Sequence, residues 1–230
     1  MVAALQLPTA FPDLDWLYRW MHSDVMLLHT GATFNRKSSV HRGKIRQPNG
    51  TQWVYMPVHP EDRRLPLHTC RTDPDSGWLT PLLRSFEFNY RNSPYFDHYE
   101  PEIRADFQQA AAMSSWLEAA THLNQRLWQY LEIPSLPPVE YIPDNNAPLL
   151  NPDNRHDTVR ILPEKNSRNY LDTLGLKIDN TPVDISNRIR YDQHFGGFEA
   201  GCCLYDVLFE TGPDFWQIVD AMVEVSLNGA

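Results

Sequence analysis

The sequence has few cysteines and few glycines. Its three cysteines, Cys70, Cys202 and Cys203, are odd in number and include no Cys-x-x-Cys pair. This pattern argues against a disulfide framework and against a zinc cluster, so reduced and buried thiols are expected. His194 is the one histidine close in sequence to the Cys202 and Cys203 pair, which makes a nucleophilic cysteine the alternative. Ten glycines in 230 residues are too few for a glycine-rich low-complexity chain.

Long apolar runs are also lacking. Nowhere do roughly 18 apolar residues follow one another, so no transmembrane segment is predicted. Residues 1–12 have no basic n-region, and their apolar run ends at Gln6, so no signal peptide is predicted either. We therefore expect a cytosolic, cytoplasmic protein.

Motifs for several common reactions are absent. The sequence contains no G-x-x-x-x-G-K-[ST], no G-x-G-x-x-G, no H-E-x-x-H and no G-x-S-x-G. The histidines do not pair at metal-ligand spacing. The sequence therefore predicts no metal and no cofactor, and no motif identifies a reaction.

Positive charge is scarce except in one window. Lys and Arg number 20 against 29 Asp and Glu, and the net charge of -9 argues against general nucleic-acid binding. Eight of the 20 cations nevertheless lie between Arg36 and Arg71, where Glu61 and Asp62 are the only acids. This basic window is either a site for an anionic ligand or a well-solvated hairpin.

The first thirty residues predict an α/β (or α+β) fold. Val2–Gln6 and Val25–His29 are short apolar runs typical of buried strands, and Asp13 is a good N-cap for a helix over 14–22. This strand, helix, strand order predicts a parallel pair, and loops at the carboxyl ends of such strands tend to carry ligands. Gln6 would lie at that edge.

A β-hairpin is predicted inside the basic window. The Pro-Asn-Gly sequence at 48–50 supplies the positive φ angles of a hairpin turn, and residues 52–58 form the second strand. Because side chains alternate along a strand, Arg42, Lys44 and Arg46 are expected on one face. They extend into water, or they face an anion or the acidic remainder of the protein.

The rest of the chain predicts flanking helices around a mixed sheet. Helices are expected over 78–90, 104–131, 167–174 and 202–210 and from Asp214 onward, with a strand at 159–162. Six prolines lie between 134 and 152, so 134–158 is predicted to be a linker or a wrapping loop. This divides the chain into an α/β domain, 1–133, and a C-terminal portion, 159–230, packed on it as one unit.

A series of short motifs follows in order along the chain. They are Gln6-Leu7-Pro8, Phe11-Pro12, Phe34 through Arg42, Lys44-Ile45, Pro48-Asn49-Gly50, Gln52-Trp53 and Pro94-Tyr95-Phe96, then Phe198, Leu204, Asp206, Leu208-Phe209 and Gly212-Pro213. None is diagnostic alone. Their order and spacing resemble the WbqC-like family over most of the chain, chiefly over 1–100 and 190–215.

The resemblance implies a role in surface-polysaccharide or O-antigen biosynthesis. It implies a transferase that adds an acyl or amino-acyl group to an activated sugar or polysaccharide precursor, with a small anionic metabolite or nucleotide-sugar as ligand. It also implies His41 and Asp206 as catalytic residues, and Gln6, Asn35, Arg36, Arg42, Lys44 and Trp53 as substrate-binding residues. Arginine offers an anion a bidentate fork and lysine a point charge, while histidine, with an ordinary pKa of about 6.5, is a base.

The chain departs from the family pattern at several points. His29-Thr30-Gly31 stands where the family tends to have an acid, and Cys203 replaces the serine before Asp206. The family's Tyr-x-Ser-Gly segment before Tyr170-Leu171 is represented only by residues 161–164. These losses make a non-enzymatic ligand-binding or complex-assembly protein on the same scaffold the alternative, with the basic window docking an acidic partner surface.

Overall fold

A parallel sheet forms one side of the molecule. The computed structural model describes residues 2–133, 135–143, 160–163 and 184–228. In these ranges, with strands numbered in chain order, β1 (Val2–Gln6), β2 (Val25–His29), β5 (Val139–Ile142) and β6 (Arg160–Pro163) are all parallel. Their order is β5-β2-β1-β6. The predicted α/β class and its parallel N-terminal unit are confirmed.

Helix α1 (Leu14–Met21) connects the two central strands. It begins at the predicted N-cap, because Asp13 Oδ1 accepts a hydrogen bond from the Trp16 backbone N–H at 2.8 Å. Trp16 and Trp20 on its buried face pack against Met26 of β2. Burial of these indoles fixes the helix on the sheet and directs the chain ahead of it, around Phe11, toward the hairpin.

The predicted hairpin is present as β3 (Arg42–Gln47) and β4 (Gly50–Tyr55). Its register pairs Lys44 with Trp53, and the turn residue Gly50 has a φ of 123°. The inner face rests directly on the chain before α1, because a Cβ added to Gly43 would lie 2.4 Å from Phe11 Cβ. The second strand ends at Tyr55, three residues earlier than predicted.

Helices cover the core beneath the hairpin. They are α2 (Leu79–Tyr90), α3 (Phe96–Ala112), α4 (Trp116–Tyr130), α5 (Ile185–Arg188), α6 (Leu204–Thr211) and α7 (Phe215–Asn228). Phe86 lies at the centre, with its ring centroid 5.8 Å from that of Phe107 and 5.6 Å from those of Tyr205 and Phe209. This aromatic packing holds α6 against α2 and α3 and so fixes the floor under β3.

The prediction of one helix over 104–131 is wrong. The chain forms α3, which already begins at Phe96, and then a separate α4. The helix breaks at Met113, which is extended, and Ser115 caps α4 by accepting a hydrogen bond from the Glu118 N–H. The apolar period continues across the break, so periodicity alone conceals it, whereas a serine followed three residues later by glutamate is the signal of a new helix start.

The Pro-rich segment is more than a loop. The sequence predicts a linker or wrapping arm over 134–158, yet Val139–Ile142 form β5 on the outer edge of β2. Trp20 Nε1 donates to the Pro137 carbonyl at 2.8 Å, which anchors the chain just before this strand. The predicted helix at 167–174, with Tyr170-Leu171, lies outside the described residues, and the division into 1–133 and 159–230 stays a prediction.

Candidate functional site

A pocket of about 420 Å³ lies between the hairpin, the start of α1, α5 and the residues before α6. Arg42, Lys44 and Trp53 of the hairpin line it, and Ser186 and Asn187 of α5 line it as well. The hairpin register brings the first three together, since Lys44 and Trp53 are cross-strand partners and Arg42 lies two residues along the same face. The pocket therefore joins residues that are more than 140 positions apart in the chain.

Two cations and an indole form the hairpin side of the pocket. Arg42 Cζ lies 4.3 Å from the centroid of the Trp53 ring, and Lys44 Nζ lies 5.5 Å from it. Trp53 is 41 % exposed, so its ring is open to a ligand. Among the described residues, the ion pairs of arginine belong to Arg71, Arg104 and Arg126. Arg42 and Lys44 thus have no carboxylate partner there, and their charge is available to an anion.

Asp15 positions the α5 side of the pocket. Its Oδ1 accepts hydrogen bonds from the backbone N–H groups of Ile185 and Ser186 at 2.7 and 2.9 Å. The carboxylate therefore holds the first turn of α5 at the pocket. Ser186 Oγ is buried and has no hydrogen-bond partner among the described residues. A hydroxyl with an unused hydrogen bond is suited to a polar group of a ligand.

Cys203 lines the pocket as a neutral thiol. Its N–H donates to the Lys44 carbonyl at 2.8 Å, and the following N–H of Leu204 donates to the Pro12 carbonyl at 2.7 Å. These bonds join α6 to both the hairpin and the chain before α1. Burial raises the pKa of the Cys203 thiol to about 12, so it is protonated near neutral pH and is not activated as a nucleophile.

His41 does not line this pocket. It is 8 % exposed, its ring contacts those of Phe34 and Tyr55, and Nδ1 is buried without a hydrogen-bond partner among the described residues. Burial, together with the positive charges of Arg42, Arg36 and Arg63, lowers the pKa of His41 to about 4. The side chain is therefore neutral near pH 7 and is a weak base.

Asp206 lies beneath the hairpin, outside the pocket lining. It is 0 % exposed and accepts hydrogen bonds from the hydroxyls of Tyr90 and Tyr191 and from Gln193 Nε2. Burial raises the pKa of this carboxyl, while the three donors oppose that rise. Tyr90 also accepts the backbone N–H of Arg46, so the network connects α6 to β3.

Three other predicted site residues also lie outside the pocket. Gln6, the last residue of β1, is buried against α1, where its Nε2 donates to the Trp16 carbonyl and its Oε1 accepts from Arg19 Nε at 2.8 Å. Asn35 is exposed, and its Oδ1 accepts the Lys37 N–H within a turn. Arg36 is exposed on the same loop. Of the eight residues predicted from the sequence, the structure brings Arg42, Lys44 and Trp53 together.

Arg46 differs from the prediction that it would share an outward cationic face with Arg42 and Lys44. It is buried, and its guanidinium donates to the carbonyls of Gly50 and Gly196 at 2.9 and 2.7 Å. The side chain bends back over the hairpin turn to reach these carbonyls. It therefore supports the hairpin and leaves two cations for the pocket.

No pattern in the sequence pointed to the pocket residues on α5. Ser186 and Asn187 follow a long Pro-rich segment, and only the tertiary fold brings them to the hairpin. In the sequence, Asp15 lies in the first turn of α1. An acidic residue at that position is already explained by its favourable interaction with the helix dipole. Its bonds to α5 come from 170 positions away, which local patterning does not encode.

A second polar cluster lies beside Asp206. His194 Nδ1 contacts Glu210 Oε1 and also Ser93 Oγ at 3.0 Å. In a Ser-His-acid triad, the serine and the acid contact opposite nitrogens of the imidazole. Here both contact Nδ1, so the cluster is not arranged as a triad. His194 contacts Glu210 rather than Cys202 or Cys203, so this histidine is not placed as the base of the nucleophilic-cysteine alternative.

Two further features, metal-binding clusters and membrane-spanning helices, are absent from the described residues. Across 2–133, 135–143, 160–163 and 184–228, no three His, Cys, Asp or Glu side chains are grouped so that they could hold a metal ion. Of the helices in these ranges, none combines the length and the apolarity that crossing a membrane requires.

The fold and the pocket define an α/β protein with a pocket whose hairpin wall carries two cations and a tryptophan. The model of the WbqC-like protein family matches residues 7–218, a range that includes the whole pocket. The chain belongs to the WbqC-like protein family. Neither a curated protein nor a solved structure gave a match.

Proposed function

We propose that this protein binds an activated sugar, or a related anionic metabolite, in the hairpin pocket and acts on it as a transferase. One observation carries the binding proposal. Arg42, Lys44 and Trp53 converge on a single pocket without a carboxylate partner among the described residues. Two half-buried cations held against an indole are a site for a phosphate or carboxylate next to a flat ring.

The pocket residues outside the hairpin favour a ligand that is anionic at one end and rich in hydroxyl groups at the other. Ser186 offers an unused hydroxyl, and Asn187 adds an amide that can both donate and accept. Asp13, Asp15 and Asp184 contribute negative charge to the lining away from the hairpin, which disfavours a second anionic group there. A sugar with its phosphate toward Arg42 and Lys44 fits both halves.

The transferase part of the proposal rests on membership of the WbqC-like protein family. It assigns the protein to surface-polysaccharide or O-antigen biosynthesis in the cytoplasm, with transfer of an acyl or amino-acyl group to a sugar. In this proposal His41 and Asp206 act from outside the pocket lining, Asp206 through the hairpin that it supports. The pocket would select the substrate.

A binding protein without catalysis is the second candidate. It is favoured by the raised pKa of the Cys203 thiol and by the lowered pKa of His41. At neutral pH the thiol is protonated and is therefore a poor nucleophile, and an imidazole with so low a pKa is a weak general base. The cationic wall would then bind its ligand with no group in the described lining prepared to react with it.

Ligand binding can be measured by thermal shift with nucleotide-sugars, sugar phosphates and acyl thioesters. We expect at least one anionic ligand to raise the melting temperature of the wild type. The Arg42→Ala, Lys44→Ala double variant should lose that shift. Arg84→Ala, Arg91→Ala is the matched control, because it removes two exposed arginines from α2 and its end, away from the pocket. No shift in the wild type, or an equal shift in the pocket variant, refutes the site.

The two candidates differ in turnover. The ligand that gives the largest shift is incubated with the protein and an acyl or amino-acyl donor, and the sugar is analysed by mass spectrometry. A mass increase that depends on Arg42 and Lys44 supports a transferase. Binding with no change in sugar mass under any donor supports the binding protein.

A further inference from the structure

Four exposed cations lie beside the pocket but outside it. Arg36, Lys37, Arg63 and Arg64 are all exposed, and we call them the basic rim. They come from two chain segments that are held side by side. The Phe34 N–H donates to the Leu65 carbonyl at 3.1 Å, and Thr33 forms a bridge with Pro66. The rim is therefore a defined surface rather than four unrelated side chains.

Arg42 connects the basic rim to the pocket. Its guanidinium faces the Trp53 ring in the pocket, and its Nη2 donates to the Lys37 carbonyl at 2.7 Å. The positive charges of Arg42, Arg36 and Arg63 all contribute to lowering the pKa of His41. Arg42 of the pocket and two members of the basic rim therefore act on the same imidazole.

The acidic residues close to the basic rim already form ion pairs with another residue. Glu61 and Asp62 are the acids of the basic window, and both pair with Arg71, at 3.1 and 2.8 Å. Within the described residues no ion pair involves a member of the rim. Like charges placed together repel one another, and the cost is offset when an anion binds between them. In a chain of net charge -9, this concentration favours an anionic ligand.

The charge of the ligand follows from the number of cations. A single phosphate or carboxylate is matched by Arg42 and Lys44 alone. The basic rim adds four further positive charges, one of them on Lys37, whose carbonyl Arg42 contacts. The surface therefore suits a second anionic group joined to the first. Tyr55 lies on the same face of the hairpin, exposed, and offers a flat ring at the junction.

We infer that the basic rim and the pocket form one surface for a substrate containing a diphosphate, with Arg42 shared between the two phosphates. This inference rests on the proposed function, because it names the charge pattern of the ligand of the same pocket. The diphosphate can come from a nucleoside diphosphate sugar or from a lipid-linked diphosphate sugar. Their shared chemistry is what the surface would recognise.

The test is an equilibrium titration of the full chain with inorganic phosphate, diphosphate and uridine diphosphate. We expect diphosphate to bind at least about tenfold more tightly than phosphate, as one additional charge-assisted contact of ~1.4 kcal/mol provides. Arg36→Ala, Arg63→Ala should weaken diphosphate binding about tenfold and leave phosphate binding within about twofold. Arg84→Ala, Arg91→Ala should bind as the wild type does.

Each outcome separates the rim from the pocket. Equal affinity for phosphate and diphosphate, or unchanged diphosphate affinity in Arg36→Ala, Arg63→Ala, overturns the inference. If Arg42→Ala, Lys44→Ala still abolishes binding in that case, the proposed pocket stands and only the rim fails. If no phosphate compound binds and the pocket variant changes nothing, both fail.

The source of the diphosphate is tested in a separate arm. Phosphatidylcholine vesicles with and without about 2 % polyprenyl diphosphate are sedimented with the protein, and the bound fraction is compared. Binding to uridine diphosphate without sedimentation identifies the nucleotide source. Sedimentation that needs the polyprenyl diphosphate and is lost in Arg36→Ala, Arg63→Ala identifies the lipid source. Both results support diphosphate recognition.

Discussion

Tyr90 donates its hydroxyl hydrogen to Asp206 Oδ1 at 2.5 Å while its oxygen accepts the backbone N–H of Arg46 at 2.8 Å. One phenol therefore links α2, α6 and β3 inside the core. Because β3 carries Arg42 and Lys44 on its other face, this network supports the strand that presents these cations. In the proposed function, Asp206 is therefore a positioning residue.

Removal of the Tyr90 hydroxyl should destabilise the protein. In Tyr90→Phe, the Arg46 N–H and Asp206 Oδ1 each lose a buried partner, and we expect a cost of about 2–3 kcal/mol in the free energy of unfolding. Urea titration measures it. Tyr55→Phe is the control, since Tyr55 is exposed and its change should stay within about 0.5 kcal/mol. Equal stability of Tyr90→Phe and the wild type contradicts the link.

Gly43 should tolerate no side chain. A Cβ at this position would lie 2.4 Å from Phe11 Cβ and 3.2 Å from Cys203 Cβ. Gly43→Ala should therefore cost about 1–3 kcal/mol, because the hairpin must move away from Phe11. Thermal melting and ligand titration should both report the change, since the pocket lies at this contact.

The matched control for Gly43 is Gly196→Ala. No heavy atom lies within 4 Å of a Cβ built at Gly196, so this substitution should leave melting and binding unchanged. If Gly43→Ala behaves like Gly196→Ala, the close contact of the hairpin with Phe11 is wrong.

His41 should make stability depend on pH. Its pKa is about 4 in the folded protein and about 6.5 when unfolded, so below pH 6.5 the unfolded chain binds more protons. Stability should fall as the pH drops from about 6.5 to 4 and change no further from this group below 4. Between pH 7.5 and 5, the wild type should lose about 1–2 kcal/mol more than His41→Gln.

The control for His41 is His98→Gln. His98 is exposed on α3, so its replacement should leave the loss between pH 7.5 and 5 equal to that of the wild type. Unfolding in urea at the two pH values measures all three proteins. An equal loss in His41→Gln and the wild type would show that the imidazole is not buried neutral.

The three thiols should be unreactive in the folded protein. Burial raises the pKa of Cys70 to about 11 and that of Cys203 to about 12, and it also raises that of Cys202. At pH 7.5 a disulfide reagent should label none of them at a rate near that of a free thiol, and all three after unfolding. Fast labelling of Cys203 in the folded state would return this residue to the list of nucleophiles.

Local signals in the sequence were enough for several elements. Asp13 predicted the start of α1, and the Pro-Asn-Gly turn predicted the hairpin, because capping and turn chemistry depend on a few neighbouring residues. Alternation along β3 also placed Arg42 and Lys44 on one face. Trp53 was expected from the family resemblance, and the register of the hairpin places it opposite Lys44.

The remaining features depend on contacts that local patterns do not contain. Arg46 obeys the same alternation as Arg42, but the carbonyl of Gly196, 150 residues away, turns its side chain inward. Ser186 reaches the pocket through Asp15 of α1. Asp206 resembles a surface helix acid until Tyr90 and Tyr191 are brought to it by packing. Each case needs the assembled core before its neighbours are known.

The strand order β5-β2-β1-β6 has a consequence for synthesis on the ribosome. The two strands made first occupy the middle of the sheet, and each receives its outer neighbour only after Val139 or Arg160 has emerged. Until then a nascent chain carries two open parallel strand edges, which are templates for pairing with other chains. The later half of the polypeptide thus supplies both outer strands of a sheet that its first thirty residues begin.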